Sequence, residues 1–231
     1  MDNQQPANEN TDQFESVPTV TSGQIPPATA HRLGLYLREL QHFHRAGVET
    51  IKSNVLGNRL GLSDSQIRRD LALFGEFGKR GVGYDVAGLV QALRRALGTD
   101  GTWNTILVGL GNLGSALIRY RGFQQQGFVL RAVFESDPTK IGTLIDGIPV
   151  FSIDSLEEKV PLLRARLAIL AIPAQDAPQI ARRLADIGIA GILNFAPVSL
   201  PLQKELAIVD VDLAVELQRL AFAVANWKES R

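Results

Sequence analysis

Residues 104–123, NTILVGLGNLGSALIRYRGF, constrain the fold of this chain more than any other stretch. An apolar run over residues 105–108 predicts a buried strand, and the apolar residues after Gly114 predict a helix. The glycines between them follow the pattern G-x-G-x-x-G, which forms the phosphate cradle of a dinucleotide-binding domain when it joins a strand to a helix. The predicted cofactor-binding residues of this cradle are Gly109, Leu110, Gly111, Asn112, Leu113 and Gly114.

Each glycine of this pattern has its own physical reason. Gly109 permits the tight turn after the strand, and Gly111 has no side chain, so a pyrophosphate can approach the backbone. Gly114 allows the helix to pack close to the strand. The N-terminus of that helix offers free N–H groups and a partial positive charge to the anion.

Strand and helix patterns alternate over the rest of this region. Further strands are predicted at residues 128–134, 148–151, 167–172 and 190–195, and helices at residues 152–159 and 176–187. This order predicts an α/β fold, a doubly wound parallel sheet of the Rossmann type over residues 99–208.

An acidic residue follows the second predicted strand. Glu135 lies about twenty residues after the glycines, where a carboxylate can accept hydrogen bonds from both hydroxyls of an adenosine ribose. Its charge would repel a 2′-phosphate, and no arginine follows it, so the sequence favours NAD(H) over NADP(H). Asp137 is the second choice for this role, and an ordinary strand-end acid is the alternative for Glu135.

Residues suited to proton transfer beside a nicotinamide are missing from the predicted cofactor domain. All three histidines lie in residues 31–44, and Tyr120 lacks a Tyr-x-x-x-Lys partner. The chain has no cysteine and no cluster with metal-ligand spacing. The glycine stretch alone favours an oxidoreductase, but the whole chain favours a sensor that binds the cofactor without enzymatic activity and without a metal.

Charge is unevenly distributed along the chain. Residues 1–30 carry four acidic residues and no Lys or Arg, whereas residues 31–98 carry 11 basic and 6 acidic residues. The basic segment predicts a polyanionic partner. Residues 1–29 are polar and are predicted to be a disordered tail. The chain has no apolar run of 18 residues and no signal sequence, so we expect a cytoplasmic protein without a membrane partner.

Residues 30–98 are predicted to form a DNA-binding domain. Apolar residues at helical spacing predict a helix over residues 30–46, and Gly61 then separates two short helices that begin at Ser53 and Ser63. Two short helices with a tight turn and a basic second helix are typical of a helix-turn-helix. A small helical bundle with solvated arginines is the alternative. The exposed residues of the second helix are Ser65, Gln66, Arg68 and Arg69.

A glycine-rich segment, GEFGKRGVGY, follows at residues 75–84. Lys79 and Arg80 lie at its middle, which favours a wing that contacts phosphates or the minor groove over a plain turn. Helix, turn, helix and basic hairpin in this order predict a winged helix. Residues 86–98 then form an amphipathic linking helix that leads into the cofactor domain.

The segment at residues 211–227 predicts a helix that is apolar nearly all round, and such a helix must be buried on several sides. A partner subunit and the chain's own cofactor domain are the two candidate burial sites. The pattern favours the partner subunit.

Three separated motifs resemble the Rex family of bacterial redox-sensing repressors. They are QIRRDL at residues 66–71 with FGEFGKRGVGY at 74–84, the glycine stretch with Ser115-Ala116-Leu117 and Tyr120, and GILNFAP at residues 191–197. The resemblance covers about residues 30–227. It implies a homodimer in which the C-terminal helix, residues 209–231, is exchanged between subunits.

The resemblance also implies residue roles. Arg68 and Arg69 would contact DNA from the recognition helix, and Lys79 and Arg80 from the wing. Family members usually carry Lys at position 69 and a pair of hydroxyl residues at positions 53 and 54, where this chain has Arg69 and Ser53-Asn54. Near the nicotinamide, the motifs place Asn194, Phe195 and Tyr120, and the proposed switch residues are Arg38, Tyr120 and Asp212.

The family implies repression when NADH is low relative to NAD⁺, and release of the operator when NADH binds. A two-fold dimer would place its recognition helices in successive major grooves, so the operator should be an inverted repeat. Apolar walls such as Ile172 and Pro173 would disfavour the cationic ring of the competing NAD⁺.

Overall fold

A computed structural model describes residues 25–74, 78–79, 82–201 and 206–226 of the chain. The chain divides into two compact units, Met1–Asp100 and Gly101–Arg231. No described helix is long and apolar enough to cross a membrane.

The first unit combines helices with a small antiparallel sheet. Its helices are α1 (Pro27–Arg45), α2 (Ser53–Leu60), α3 (Asp64–Leu71) and α4 (Val86–Ala96), with a 3₁₀ turn at Ala72–Phe74. Strands β1 (Thr50–Ile51), β2 (Gly78–Lys79) and β3 (Gly83–Asp85) pair in the order β1-β3-β2. Their shared core includes Leu33, Tyr36, Leu40, Leu56, Ile67, Leu71, Phe74, Leu89 and Leu93.

The ends of these helices follow from local sequence. α1 begins at Pro27, three residues before the predicted start, because proline lacks an N–H and suits the first helical turn. Residues 27–29 are therefore part of a helix and not of the predicted tail. α2 ends at Gly61, whose φ of 66° is left-handed, and Ser63 caps α3 by accepting a hydrogen bond from the Gln66 N–H at 3.2 Å.

The second unit is built on a seven-stranded sheet in the order β10-β9-β8-β4-β5-β7-β6. Every neighbouring pair is parallel except the β6–β7 hairpin. The strands are β4 (Trp103–Val108), β5 (Phe128–Glu135), β6 (Leu144–Ile145), β7 (Ile148–Ser152), β8 (Leu167–Leu170), β9 (Gly191–Asn194) and β10 (Ala207–Asp210). The doubly wound sheet predicted from the sequence is confirmed, and β6 and β10 are two short strands that the sequence analysis missed.

Alternate side chains of the strands enter two apolar cores, one on each face of the sheet. On one face, Ile106 and Phe134 pack with α7 (Leu156–Leu162) and α8 (Ala177–Asp186). On the other face, Leu107 and Val133 pack with α5 (Asn112–Ile118) and α6 (Gly122–Gln125).

The helix predicted after the glycines is divided into α5 and α6, and Tyr120 lies between them. Tyr120 therefore belongs to neither helix. A side chain at position 122 would meet the Tyr120 ring, so Gly122 provides the space into which that ring folds. The ring then contacts Phe123 edge-on, with centroids 5.0 Å apart.

The C-terminal helix α9 (Leu213–Ala225) begins at Asp212, whose carboxylate accepts hydrogen bonds from the N–H groups of Ala214 and Val215. All its residues are exposed, and the exposed fractions of its large apolar side chains run from 46% for Val215 to 71% for Phe222. Burial against the chain's own cofactor domain, one of the two alternatives for this helix, does not occur in the described chain.

Candidate functional site

The three glycines of the G-x-G-x-x-G turn have the backbone geometries that their spacing predicts. Gly109 has a φ of 96°, and a Cβ there would meet the carbonyl oxygen of Ala171. A Cβ on Gly114 would meet the carbonyl oxygen of Gly109, so the helix and the turn touch at this point. A Cβ on Gly111 would meet nothing within 4 Å. The backbone of Gly111 therefore faces open space, where a ligand can approach it.

A cleft of about 540 Å³ lies beside this loop, at the carboxyl ends of β4, β5 and β8. β4 has β5 on one side and β8 on the other, so the winding of the sheet reverses here. Parallel sheets bind ligands at such a switch point. The lining residues are Val108, Gly109, Leu110, Gly111, Phe134, Glu135, Ser136, Lys140, Ile153, Ala171, Ile172, Pro173, Asp176, Gln179, Ile180 and Arg183.

Glu135 lines the cleft, and its carboxylate accepts several hydrogen bonds, mostly from backbone N–H groups. One oxygen accepts the Leu110 N–H at 2.6 Å, and the other accepts the N–H groups of Ser136 at 2.7 Å and Asp137 at 2.9 Å, with the Ser136 hydroxyl at 3.2 Å. Burial raises the pKa of Glu135, but these hydrogen bonds outweigh it, and the pKa lies below its ordinary value. The carboxylate is therefore charged at neutral pH.

Asp137, the second choice for the ribose, is also bound locally. One oxygen accepts the N–H and hydroxyl of Thr139, and the other pairs with the Lys140 ammonium at 3.3 Å. The Thr139 bonds and then the Lys140 charge lower the pKa of Asp137. Asp137 does not line the cleft, whereas Lys140 does and donates to the Leu110 carbonyl oxygen at 3.2 Å.

Several lining residues were missed by the sequence analysis. Arg183 lies at one end of the cleft, where it binds both oxygens of Glu157 and donates to the Ile153 carbonyl oxygen. Arg183 is one of a pair of arginines on an amphipathic helix, a pattern that indicates a solvent-exposed side chain and gives no sign of this position. Lys140 is close to Glu135 in sequence, but no pattern reveals that the chain turns back so that its ammonium reaches Leu110.

The structure places the predicted nicotinamide residues differently. Ile172 and Pro173 line the cleft, whereas Tyr120 is 59% exposed and lines a separate cavity of about 600 Å³. Phe195 is partly buried against the core that contains Leu110. Asn112, Leu113 and Phe195 are not among the cleft-lining residues.

The sequence predicts that Asn194 binds the cofactor, and in the structure it is not among the residues that line the cleft. The residue is fully buried, its amide nitrogen donates to the Val198 carbonyl and to Asp210, and its amide oxygen accepts the Ala196 N–H. These bonds join the turn after β9 to the end of β10. Asn194 therefore shapes the loop that carries Phe195.

In the first unit, α3 presents basic side chains on its exposed face. Arg68 pairs with Asp64 at 2.7 Å, and Arg69 donates to the Gln66 side-chain oxygen at 3.4 Å. Exposed pairs of this kind contribute at most about 1 kcal/mol, so a phosphate or a base edge can replace the partner. Ser65 is exposed near the N-terminus of α3, and Ser53 is the first residue of α2.

A buried polar cluster holds α3 to α1. Asp70 accepts hydrogen bonds from Arg32 at 2.7 and 2.9 Å, from the Tyr36 hydroxyl at 2.7 Å and from the Gln66 amide at 2.9 Å. Helical spacing indicates solvent-exposed side chains for Arg32 and Gln66, and Gln66 is one of the predicted DNA-binding residues. Instead, Arg32 anchors α3, and both ends of the Gln66 side chain have partners within the protein.

The basic hairpin is present as the β2–β3 pair, in which Gly78 faces Tyr84 and Lys79 faces Gly83. Gly83 has a φ of 118°, and a Cβ there would lie 2.6 Å from the Ile51 carbonyl oxygen, so only glycine allows β3 to approach β1 this closely. Lys79 lies in β2, and Arg80 lies outside the described residues.

The predicted switch residues lie in different units. Arg38 is exposed and donates to Glu39 at 3.3 Å, and Asp212 caps α9. No group of three or more acidic or histidine side chains that could hold a metal occurs among the described residues.

Comparisons with known proteins agree on one family. A family model described as a CoA binding domain matches residues 100–198, and one described as a DNA-binding protein N-terminus matches residues 24–72. The redox-sensing transcriptional repressor Rex of Desulfitobacterium hafniense is 44% identical over 87% of this chain and 96% of its own length. The Rex protein of Rhodopirellula baltica is 47% identical over 84% of this chain and 82% of its own length.

Solved structures agree with the sequence relatives. The Rex-family repressor RSP in complex with NAD⁺ and operator DNA has a TM-score of 0.80 at 34% identity, over 87% of this chain and 92% of its own. The RSP complex with NADH has a TM-score of 0.77 at 33% identity, over 87% and 94% of the two chains. The chain described above belongs to the Rex family of redox-sensing transcriptional repressors.

Proposed function

We propose that this protein represses transcription by binding an inverted-repeat operator when NADH is low, and that NADH releases it. The observation that carries this proposal is that one chain contains both a dinucleotide-type cleft and an exposed basic recognition helix. Its relative RSP, which matches both units, has been solved with NAD⁺ and operator DNA and with NADH. Because its partner is the operator, the protein acts in the cytoplasm.

The cleft binds the dinucleotide along the glycine loop. The open face of Gly111 accommodates the pyrophosphate, and the first turn of α5 supplies N–H groups at Asn112 and Leu113. Two carboxylates, those of Glu135 and Asp137, lie at or just after the end of β5, and the one ammonium beside them is that of Lys140. This balance of charge disfavours a 2′-phosphate, so the ligand is NAD(H) rather than NADP(H).

NADH is preferred over NAD⁺ because the apolar walls of Ile172 and Pro173 raise the desolvation cost of the cationic ring. Phe195 lies against the nicotinamide, and Tyr120 leaves Phe123 to close over it. The Arg38 side chain then releases the Glu39 carboxylate and pairs with Asp212 or with Tyr120. NADH shifts the equilibrium between two states of the dimer by its differential affinity for them.

DNA is bound by the first unit. Arg68 and Arg69 of α3 enter the major groove, where an arginine can bind a guanine edge with two hydrogen bonds. Ser53, Ser65, Lys79 and Arg80 contact phosphates or the minor groove. Gln66 supports Arg69 through the hydrogen bond between their side chains. Two recognition helices about 34 Å apart match an inverted repeat.

The repressor is a homodimer in which α9 is exchanged between subunits. Two apolar surfaces support this: the exposed side chains of α9, and a groove of about 350 Å³ on the sheet, lined by Phe123, Leu130, Ile169, Leu193 and Val209 among others. Soluble monomers rarely leave apolar patches of this kind in water. A partner subunit that covers both surfaces removes them from solvent.

An operator-release experiment tests the proposed function. A fluorescent inverted-repeat duplex should bind at nanomolar concentration and be released by NADH, with a much weaker effect of NAD⁺ and of NADPH. A complex that NADH leaves intact would exclude the sensor function. Steady oxidation of NADH with a small carbonyl substrate would instead indicate a dehydrogenase, which the lack of a proton-transfer set argues against.

A further inference from the structure

We propose that Glu135 is a positioning residue that holds the glycine loop in its binding conformation, and that it does not read the adenosine ribose. The inference rests on the proposed function, since it assumes that NADH binds at this loop. It departs from the expectation that an acid at the end of the second strand binds both ribose hydroxyls.

The first argument is the number of hydrogen bonds that the carboxylate already accepts. An ionised carboxylate offers about four lone-pair sites. One oxygen of Glu135 accepts a single hydrogen bond, from Leu110, and the other accepts three, from Ser136 and Asp137. At most one lone pair is left, so this carboxylate has no face that could bind two ribose hydroxyls at once.

The second argument is that the shortest hydrogen bond to the Glu135 carboxylate comes from the glycine loop. The Leu110 N–H lies 2.6 Å from the Glu135 oxygen, in the middle of the glycine pattern. The Leu110 carbonyl oxygen accepts the Lys140 ammonium at 3.2 Å, and the Leu110 side chain is buried in the core on the far face of the sheet. The N–H, carbonyl and side chain of this one residue are therefore all held.

Asp137 does not replace Glu135 as the ribose acceptor. Its two oxygens are bound to Thr139 and to Lys140, and it lies outside the cleft lining. Asp137 instead holds Lys140 beside the Leu110 carbonyl. The hydrogen bonds of Glu135 and Lys140 to Leu110, and the ion pair of Lys140 with Asp137, thus hold the glycine loop in place. None of these contacts requires a ligand.

A loop that is held in advance loses little conformational freedom when the pyrophosphate binds, and this raises affinity. The effect acts through the loop, so it does not depend on the ribose hydroxyls of the ligand. That independence separates positioning of the loop from recognition of the ribose.

The test measures dissociation constants from NADH fluorescence, for NADH and for its analogue with 2′-deoxyadenosine. In Glu135→Gln the carboxamide cannot accept both from Leu110 and from the Ser136–Asp137 turn, because one of its two ends is a donor. We expect this variant to lose about 10- to 100-fold in affinity, as for a buried hydrogen bond to a charged group. The loss should be the same, within about twofold, for both ligands.

Two further variants provide a second test and a control. Lys140→Met removes the bond to the Leu110 carbonyl from a partly exposed position, and it should lower affinity for both ligands by a smaller, equal factor. Glu158→Gln, an exposed acid that pairs with Lys159, should leave both constants unchanged. All measurements are made below the melting temperature of each variant, so that a lower stability alone does not alter the constants.

A loss in Glu135→Gln that occurs with NADH and disappears with the deoxy analogue would overturn the inference, because it would assign the ribose to Glu135. Unchanged affinity for both ligands would overturn it as well. A wild-type protein that binds neither ligand would refute the proposed function itself, and this outcome is distinct from both of the others.

Discussion

Arg32 of α1 binds Asp70 of α3 through two parallel hydrogen bonds, with its Nε 2.7 Å and a terminal nitrogen 2.9 Å from the two carboxylate oxygens. The Asp70 side chain is almost completely buried. The same carboxylate accepts from Tyr36 and Gln66, so one acid joins the packing helix to the recognition helix. The orientation of α3, the proposed recognition helix, depends on this acid.

Replacing Asp70 with Asn should therefore destabilise the first unit and loosen the orientation of α3. The substitution weakens the charge-assisted hydrogen bonds to the partly exposed Arg32 guanidinium and to the buried Tyr36 hydroxyl, which costs about 1.5–3 kcal/mol. Urea denaturation followed by circular dichroism measures this loss. Asp64→Asn, at the exposed pair with Arg68, is the control and should change stability by less than about 1 kcal/mol. Similar losses in the two variants would contradict the anchoring role.

Stability should fall on acidification. Burial raises the pKa of Asp70, but its bonds from Arg32, Tyr36 and Gln66 outweigh that and lower it, and Glu135 is lowered in the same way. A lowered pKa contributes stability that is present above the ordinary value of about 4 and is lost as the pH falls through the folded-state pKa. Melting temperatures should be level near neutrality and decline below about pH 4. The melting temperature of Asp70→Asn should fall less steeply with decreasing pH than that of the wild type. Equal slopes in the two proteins would show that Asp70 does not contribute to the loss of stability in acid.

Gly111→Ala should separate cofactor binding from folding. Its Cβ meets nothing within 4 Å, and its φ of −76° suits any residue, so the melting temperature should not change. The methyl group would occupy the space of the pyrophosphate, and NADH affinity should fall at least about tenfold. NADH should then fail to release the operator. Gly101→Ala, also in open space, is the control, and NADH affinity that survives in Gly111→Ala would place the ligand elsewhere.

Leu217→Glu should disrupt the dimer. Leu217 is 65% exposed on α9. A carboxylate buried there against a partner subunit would lose its hydration without gaining a charge or hydrogen-bond partner. Light scattering after size exclusion should show a dimer for the wild type and a monomer for the variant. Leu162→Glu, at a leucine of α7 that is 74% exposed, should remain a dimer. A dimeric Leu217→Glu would exclude α9 as the interface.

Arg68→Ala should weaken operator binding without affecting the cofactor. Loss of a base or phosphate contact costs about 1–3 kcal/mol, which is about 5- to 150-fold in affinity. NADH affinity should stay within about twofold, because the residue lies in the other unit. Arg95→Ala, an exposed arginine of α4 in the same unit, controls for net charge. Parallel loss of both affinities would show that Arg68 affects the fold instead.

Local sequence determined the framework of this protein. Buried strands, the glycine turn and the capping of α3 by Ser63 depend on residues within a few positions of one another, so period and spacing predict them. The roles of Gly109, Gly111 and Gly114 follow from backbone geometry that the motif itself imposes. For the same reason, the cleft beside the glycine loop lies where the motif predicts a ligand site.

Tertiary structure decided which polar side chains are free to bind a ligand. Glu135 reaches Leu110 across 25 positions of sequence, Arg32 reaches Asp70 across 38, and Asn194 reaches Asp210 across 16. A buried polar group takes whatever partner the folded chain brings near it, and residue type and spacing do not reveal that partner. Residue type and spacing therefore predicted a dinucleotide ligand for the cleft, while the fold decided that the Glu135 carboxylate binds the backbone of Leu110.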